Sequence, residues 1–472
     1  MRLKDFILII SAAFFTKGFS QSDSTLSLIN LYKIVLANHP VAAQAGITGD
    51  MGKALLLSAR GNFDPVMQAE YRDKAFDGKN YYKALLSEFK IPTRLGIDFK
   101  AAYELNDGAR LNPENYTPNQ GLVMAGVSIP IGQGFWTDKR RNALRQAKAI
   151  AEMNNAEQIQ VLNDLLLEVA TDYYEWYFRY YAFERVDEGY NLALERLNFV
   201  KERINFGDLA AIDSVEASIE VQQRFIHRIQ AGINLVNATL NLSNHIWGEN
   251  NQPAFLSPDI KPQPLNTDSI FISIPNPENL VQTALTNHPK LVFYRAKIKQ
   301  MDADRRYKAD LLKPNLRIDY NFLQETMVVN DFNTINPDYR ANYKVGLVFK
   351  YPLLLRKERG DLKLAKLKLS DAEFELTQQT RELENKIRAS SNEFSNMPEL
   401  LNVQKELVDN YFILRNGEQE RFKNGESSLL IINIRERSLI ESQIKYIEQS
   451  VKAALAREKL LWSAGLLSSL QK

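Results

Sequence analysis

Two rhythms of apolar residues alternate along the chain, one of three to four residues and one of two. From about Trp136 to Asn205 there is no proline and no glycine except Gly189, and Leu162, Leu166, Val169, Tyr173, Trp176, Tyr180 and Phe183 fall at alternating steps of four and three. This spacing predicts a long helix with a coiled-coil seam. The rhythm resumes after Gly207 at Ile226, Ile229, Ile233, Val236 and Leu240. In the second half, Leu362, Ala365, Leu369, Ala372 and Leu376 precede Gly425, and Ile440, Ile444, Ile447, Val451 and Ala454 follow it. Each half is therefore expected to hold a helical hairpin with a glycine near its turn.

Helix lengths constrain the arrangement. A helix of roughly 70 residues before the first turn spans about 105 Å, and one of roughly 36 residues after it only about 54 Å. Residues 276–312 form a further helical stretch of roughly 36 residues, so that two short helices end to end match one long one. This arithmetic suits an extended helical cylinder.

The two-residue rhythm appears between the helices. Leu95 to Leu105 alternates cleanly, Gly121 to Ile131 is a second strand-like run, and Asn315 to Leu323 and Asn342 to Tyr351 are their counterparts in the second half. Alternating runs of about ten residues fit a transmembrane barrel with lipid outside and water inside. Tyr103, Tyr320, Tyr343 and Tyr351 suit its interfacial girdles. A soluble antiparallel sheet shows the same period, so the strands alone leave both readings open. Two hairpins cannot close a barrel, and a membrane does not tolerate open strand edges, so a barrel would need strands from other subunits.

The chain reads as a duplication. Leu36-Ala37-Asn38-His39-Pro40 returns as Leu285-Thr286-Asn287-His288-Pro289. In both halves there follow a strand run ending at Ile129-Pro130 or Tyr351-Pro352, a long helical stretch, and a break at Gly207 or Gly425 preceded by Arg203 or Arg421 at the same spacing. Four landmarks in one order mark a repeat. The helical intervals Pro130 to Gly207 and Pro352 to Gly425 are similar, about 77 and 73 positions, whereas Pro40 to Pro130 exceeds Pro289 to Pro352 by about 27. The helices are constrained in length and the strand region is not.

Residues 21–247 are thus expected to form the first repeat and 279–472 the second, with 248–278, rich in proline, as the linker. Residues 1–20 carry Arg2 and Lys4, an apolar run from Phe6 to Phe15 and small residues near Gly18 and Ser20, which read as a signal peptide. The alternative, a membrane anchor, needs a longer run than this to cross about 30 Å of hydrocarbon.

With 59 basic and 57 acidic residues interspersed, the chain lacks the footprint of a nucleic-acid binder. It has no cysteine, which excludes disulfides, thiolate metal sites and attachment of lipid through cysteine. The four histidines, His39, His227, His245 and His288, have no metal-ligand spacing, and two of them belong to the repeated Asn-His-Pro at expected helix boundaries. Neither a phosphate-cradling loop nor a nucleophile elbow is present. No catalytic residue, cofactor or metal is expected, and transport would be passive.

The duplicated order of helix, strand pair, very long helix, glycine turn and shorter helix resembles the TolC-like outer membrane efflux family over essentially the whole mature chain. The resemblance implies a mainly α fold with membrane β: four strands per subunit in a trimeric twelve-stranded barrel, and duplicated coiled-coil hairpins in a periplasmic α-barrel. It implies an exit duct in the bacterial outer membrane, extending into the periplasm, for a tripartite efflux or type I secretion system carrying small molecules or peptides. Implied partners are two further copies in a homotrimer, the lipid bilayer, a periplasmic adaptor (membrane fusion) protein and an inner-membrane RND or ABC transporter.

The resemblance places a closable periplasmic tip and adaptor-docking site at Arg203, Gly207, Leu209 and Asp213, then Arg421, Gly425 and Leu429. Asp213 stands where the family often has an acid that holds the tunnel shut; it equally suits a helix-capping carboxylate. The second half departs from the pattern, with Ile431 and Ile434 where acids are expected. Arg435 and Glu436 are nearby charges, for the pore or for a solvated helix face. The competing reading is a periplasmic coiled-coil scaffold without a pore, which leaves the strand pairs in both halves unexplained.

Overall fold

The structure is a computed structural model and describes residues 25–249, 252–272, 276–325 and 341–468. The expected signal peptide at 1–20 lies outside the described residues. In chain order the elements are β1 (Thr25–Leu26), α1 (Leu28–Asn38), α2 (Pro40–Gly61), β2 (Val66–Phe76), β3 (Lys79–Pro92), β4 (Asp98–Asp107), β5 (Leu122–Gly132), α3 (Lys139–Asn205) and α4 (Ala211–Ser243). There follow β6 (Lys261–Pro262), α5 (Thr267–Ile270), α6 (Pro277–Asn287), α7 (Pro289–Asp310), β7 (Asn315–Glu325), β8 (Tyr343–Lys350), α8 (Arg356–Ser395), α9 (Met397–Lys423) and α10 (Leu429–Ser463).

Local chemistry sets the boundaries. His39 and His288 are N-caps with proline at the next position; their Nδ1 atoms accept from the Val41 and Lys290 N–H groups at 3.2 and 3.1 Å. The repeated Asn-His-Pro is thus a helix-start device, satisfying a donor that the first helical turn leaves free. Both helices that it starts are 22 residues long. The expected stretch 276–312 is accordingly two helices, α6 and α7, broken at His288. The long helix of the second half is also divided, between Ser395 and Met397. Pro398, which lacks an N–H and disfavours helical backbone before it, stands at that break.

The chain forms two compact units, one from the segment up to Asn38, Val169–Ile270 and Glu399–Ala454, the other from His39–Glu168, Phe271–Pro398 and the segment from Leu455. Each draws on both sequence halves. In the first unit the predicted seam residues Val169, Tyr173 and Trp176 are buried. The Tyr173 and Tyr181 hydroxyls donate to the Leu26 and Pro262 carbonyls at 2.9 and 3.2 Å, and Tyr177 Oη accepts from the Leu265 N–H at 3.1 Å. These bonds hold the parallel pair β1 and β6 and fix the proline-rich segment to α3. Burial pushes the Tyr173 and Tyr181 hydroxyls up, the latter to about 12.

The second unit contains a six-stranded antiparallel sheet in the order β2-β3-β4-β5-β7-β8. This sheet has two strands beyond the four expected. The four expected strands are β4, β5, β7 and β8; the unexpected ones are β2 and β3. Asp77 and Gly78, with φ of 53° and 67°, join β2 to β3. An Asp-Gly pair with positive φ at both positions is the tight hairpin turn whose twist matches its strands.

The repeat extends into the sheet. Pro65 precedes β2 as Pro314 precedes β7, and the interval from Asn-His-Pro is the same, 25 positions from Pro40 to Pro65 and from Pro289 to Pro314. Strand β2 is therefore the counterpart of β7. All the extra length of the first half arises after Pro65, where two additional strands stand between β2 and β5.

The pairing register gives the sheet two chemically distinct faces. One carries Met67 and Tyr71 on β2, Leu85 and Phe89 on β3, Phe99 and Leu105 on β4, and Val123 and Val127 on β5. It continues through Ile318 and Phe322 on β7 to Tyr343, Val345, Leu347 and Phe349 on β8. The other face carries Gln68, Glu70, Arg72, Glu88, Lys90, Lys100, Glu104, Arg317, Asp319, Asn321 and Lys344 among some apolar residues. On the first face Met67, Leu347 and Phe349 are exposed by 77, 67 and 67%. Nothing in the described chain covers it as a soluble sheet's apolar face would be covered.

Candidate functional site

The expected tip lies in the first unit, at the turns from α3 to α4 and from α9 to α10. Both turns are built the same way. Gly207 and Gly425 have φ of +82° and +78°. The Gly207 N–H donates to the Ile204 carbonyl and the Asp208 N–H to the Arg203 carbonyl, both at 2.9 Å. The Gly425 N–H donates to Phe422 at 3.1 Å and the Glu426 N–H to Arg421 at 2.8 Å. This is the Schellman end of a helix, in which a left-handed residue lets two backbone N–H groups satisfy orphaned carbonyls. Arg203 and Arg421 thus contribute their carbonyls to the turns as well as their charge. The Arg203 guanidinium lies 3.1 Å from the Asp208 carboxylate, and that of Arg421 3.8 Å from Glu418.

The turns of the two halves are brought together. Leu197, Val200, Ala217, Leu429 and Ile432 form one buried cluster, against which Leu209, Ile204, Val221 and Phe422 pack. Leu209 and Leu429, on either side of the duplication, therefore belong to a single core. Asp213 is at the third position of α4, and its carboxylate accepts from the Ala210 N–H at 3.1 Å. Within the chain it is a helix cap. Arg435 is half-buried, and its Nε has no hydrogen-bond partner among the described residues.

Beside these residues lies a charge cluster that the periodicity does not reveal. Glu436 is buried, and its carboxylate receives both terminal nitrogens of Arg196 and, at 3.1 Å, Nη2 of Arg224. Arg224 Nε donates to Glu220 at 2.7 Å and its Nη1 to the Gly189 carbonyl at 2.8 Å; Arg196 also donates to Asn433 at 2.8 Å. Arg437 completes the set with a bond to Glu220 at 2.9 Å. Of the two readings of Glu436 open in the sequence, pore charge or solvated face, neither describes it: it ties α10 to α3 and α4. Paired charges on three helices fix their rotation about one another, because each carboxylate is satisfied in one register only. The glycine at 189 has a part in this, since its carbonyl is one of the acceptors.

Helix α4 turns two faces to different surroundings. Ala217, Glu220, Arg224, Ala238 and Leu242 are buried, whereas the predicted seam residues Ile226, Ile229, Ile233, Val236 and Leu240 are each about half-exposed or more. The exposed stripe continues through Ile219, Val215 and Ile212. A seam at coiled-coil spacing is thus present and unpartnered among the described residues. Among the described residues no group of acidic and histidine side chains is placed to hold a metal, and no helix is long and apolar enough to cross a membrane.

No protein-family model matches the chain, and no curated protein matches it. Solved structures do. The Campylobacter jejuni CmeC outer membrane channel is 13% identical, with a TM-score of 0.63 over 93% of this chain and 86% of that one. The open state of the Neisseria gonorrhoeae MtrE outer membrane channel is 13% identical, with a TM-score of 0.66 over 93% and 89%. The outer membrane protein VceC of Vibrio cholerae is 12% identical, with a TM-score of 0.64 over 93% and 96%. The chain has the fold of these proteins, which bears out at the level of fold the resemblance to the TolC-like family.

Proposed function

We propose that the chain is the subunit of a trimeric exit duct in the bacterial outer membrane, its sheet in the bilayer and its helical hairpins in the periplasm. The observation that carries this reading is the sheet. Its uncovered apolar face matches the lipid side of a transmembrane strand wall, its opposite face is predominantly polar, and its two edges call for other strands. The unpartnered stripe of α4 supports further copies as the partners. A periplasmic scaffold has no use for such a sheet.

In this reading the polar face of the sheet lines a water-filled passage and the turns at Gly207 and Gly425 form the periplasmic end. Arg203, Leu209, Asp213, Arg421, Leu429 and Arg435 flank the place where a periplasmic adaptor docks and where the duct closes. No chemistry is needed of the chain; the work of export is done by an inner-membrane RND or ABC transporter, in an efflux or type I secretion machine. The CmeC and MtrE structures with this fold are outer membrane channels, and passive conduction is the corresponding activity.

The test is native mass determination in detergent, followed by planar-bilayer conductance of the wild type and Asp213→Ala. Trimers of low conductance that opens further in the variant support a gated duct with an ionic contact between subunits at Asp213. Unchanged conductance assigns Asp213 to helix capping alone. A monomer that remains soluble without detergent and conducts nothing overturns the duct.

A further inference from the structure

We infer that each subunit contributes six strands, and that the trimer closes an eighteen-stranded barrel by pairing β8 of one copy with β2 of the next. The inference rests on the exit-duct reading and revises the twelve strands that the family resemblance implies. Three observations carry it.

The first is where β2 begins. The equal spacing of Pro65 and Pro314 from their Asn-His-Pro motifs starts β2 and β7 at equivalent places, each a few residues after a 22-residue helix. Strand β2 is consequently a wall strand by the logic of the repeat. The additional strands β3 and β4 lie between β2 and β5, paired on both sides, so they cannot leave the wall without breaking it.

The second is the continuity of the apolar face. Met67, Phe89, Ala101, Ala125, Phe322 and Tyr343 form one row across all six strands. From this row the apolar positions of β2 run on to Tyr71, toward the Asp77-Gly78 turn, whereas those of β8 run the other way to Phe349. The band crosses the sheet obliquely. Such a stagger is what tilted strands in a closed barrel require of a band parallel to the membrane.

The third concerns the edges. Among the described residues, β2 and β8 are the edges of this sheet, and both carry lipid-type side chains. An unpaired edge in hydrocarbon leaves a row of polar backbone groups unsatisfied. With an even number of alternating strands, β2 and β8 run in opposite directions, so the closing contact between copies is antiparallel like every other pair in the sheet. A second copy of this chain therefore fits both edges at once.

Since barrel diameter grows about linearly with strand number, the wall is about 1.5-fold wider than one of twelve strands. Electron microscopy of detergent-solubilised trimers reads this directly: eighteen strands are expected, and twelve overturn the inference while leaving the duct intact. Loss of trimers altogether overturns both. Cross-linking provides an independent measurement, because the natural chain has no cysteine. Ala69→Cys combined with Val345→Cys or Leu347→Cys, treated with a short bis-maleimide, is expected to give covalent dimers and trimers. A cross-link within one chain between Ala69→Cys and Ala125→Cys, or between copies from Ala101→Cys to Val345→Cys, shows β3 and β4, or β2 and β3, outside the wall and overturns it. Absence of the β2 to β8 cross-link in particles that are trimeric by mass does so too.

Discussion

The hairpin turns of the first unit and the sheet of the second meet their physical needs in opposite ways. At the turns, the helix-end carbonyls are satisfied by the backbone around Gly207 and Gly425, the leucines by one shared core, and the guanidinium groups of Arg196 and Arg224 by Glu436 and Glu220. At the sheet, an apolar face and two strand edges have no counterpart among the described residues. A region that is internally complete can be disturbed only from within, while an incomplete one takes its final form from whatever covers it. Helix α4 has both characters, with charges buried on one side and apolar residues exposed on the other.

The sharpest way to break this contrast is to damage the complete region. Glu436→Gln removes the charge shared by Arg196 and Arg224, leaving the buried Arg224 with Glu220 and the half-buried Arg196 with Asn433. Breaking a buried ion pair from one side costs about 3–5 kcal/mol. The guanidinium unfolding midpoint of the helical signal is expected to fall accordingly, with or without membrane insertion. Arg437→Ala, which removes an exposed member of the same set, is expected to cost under about 1 kcal/mol. Equal effects of the two would show that burial is not what gives the cluster its weight.

The sheet should behave in the reverse manner. Phe99 and Lys100 are neighbours on opposite faces of β4. Phe99→Arg places a charge on the lipid side, at a cost of about 2–4 kcal/mol at mid-bilayer, and the fraction of chain recovered as membrane trimer is expected to fall more than tenfold. Lys100→Arg, on the water side, leaves that fraction unchanged. Equal recovery of both variants, measured by fractionation of the outer membrane, would remove the case for a lipid-facing sheet.

How far the sequence disclosed all this differs between the same two regions. The helices, the glycine turns, the two Asn-His-Pro helix starts and four strands were legible because each rests on a strong local signal, such as heptad spacing or Asn-His-Pro. Strands β2 and β3 were not, because Ala69 and Ser87 weaken their apolar face and Asp73 and Lys83 interrupt it. Asp77-Gly78 was the signal that identifies them. At the helix turns, the Arg203, Gly207, Arg421 and Gly425 positions follow from spacing, but the joining of Glu436 to Arg196 and Arg224 does not. Those residues are far apart in sequence, and nothing in the periodicity of one helix states the rotation of another.

A smaller effect distinguishes the helix start at His288. Burial, with Lys290 and Lys386 nearby, pushes its imidazole down to about 4. Between about pH 6.5 and 4 the unfolded chain binds a proton that the folded one does not, so stability falls as pH falls through that window. The full difference is roughly 3 kcal/mol per chain. His288→Asn keeps a capping side chain and removes the titration. Its Tm is expected to change less than that of the wild type between pH 6.5 and 4; parallel curves would show that other groups dominate.

The smallest effects come from two glycines in and beside α9, and their signs should differ. Gly417 lies within the helix, exposed, and a Cβ added there meets nothing within 4 Å. Gly417→Ala is expected to stabilise by about 0.5–1 kcal/mol, because alanine loses less conformational freedom on entering a helix. Gly425 has equally open space around it, but its φ is +78°. Gly425→Ala is expected to destabilise by about 1–2 kcal/mol through the left-handed backbone alone. Denaturant midpoints of the two variants thus separate space from backbone conformation at sites eight residues apart. If both substitutions stabilise, the turn does not keep its Schellman geometry in solution, and the turn region is less complete in itself than its hydrogen bonds indicate.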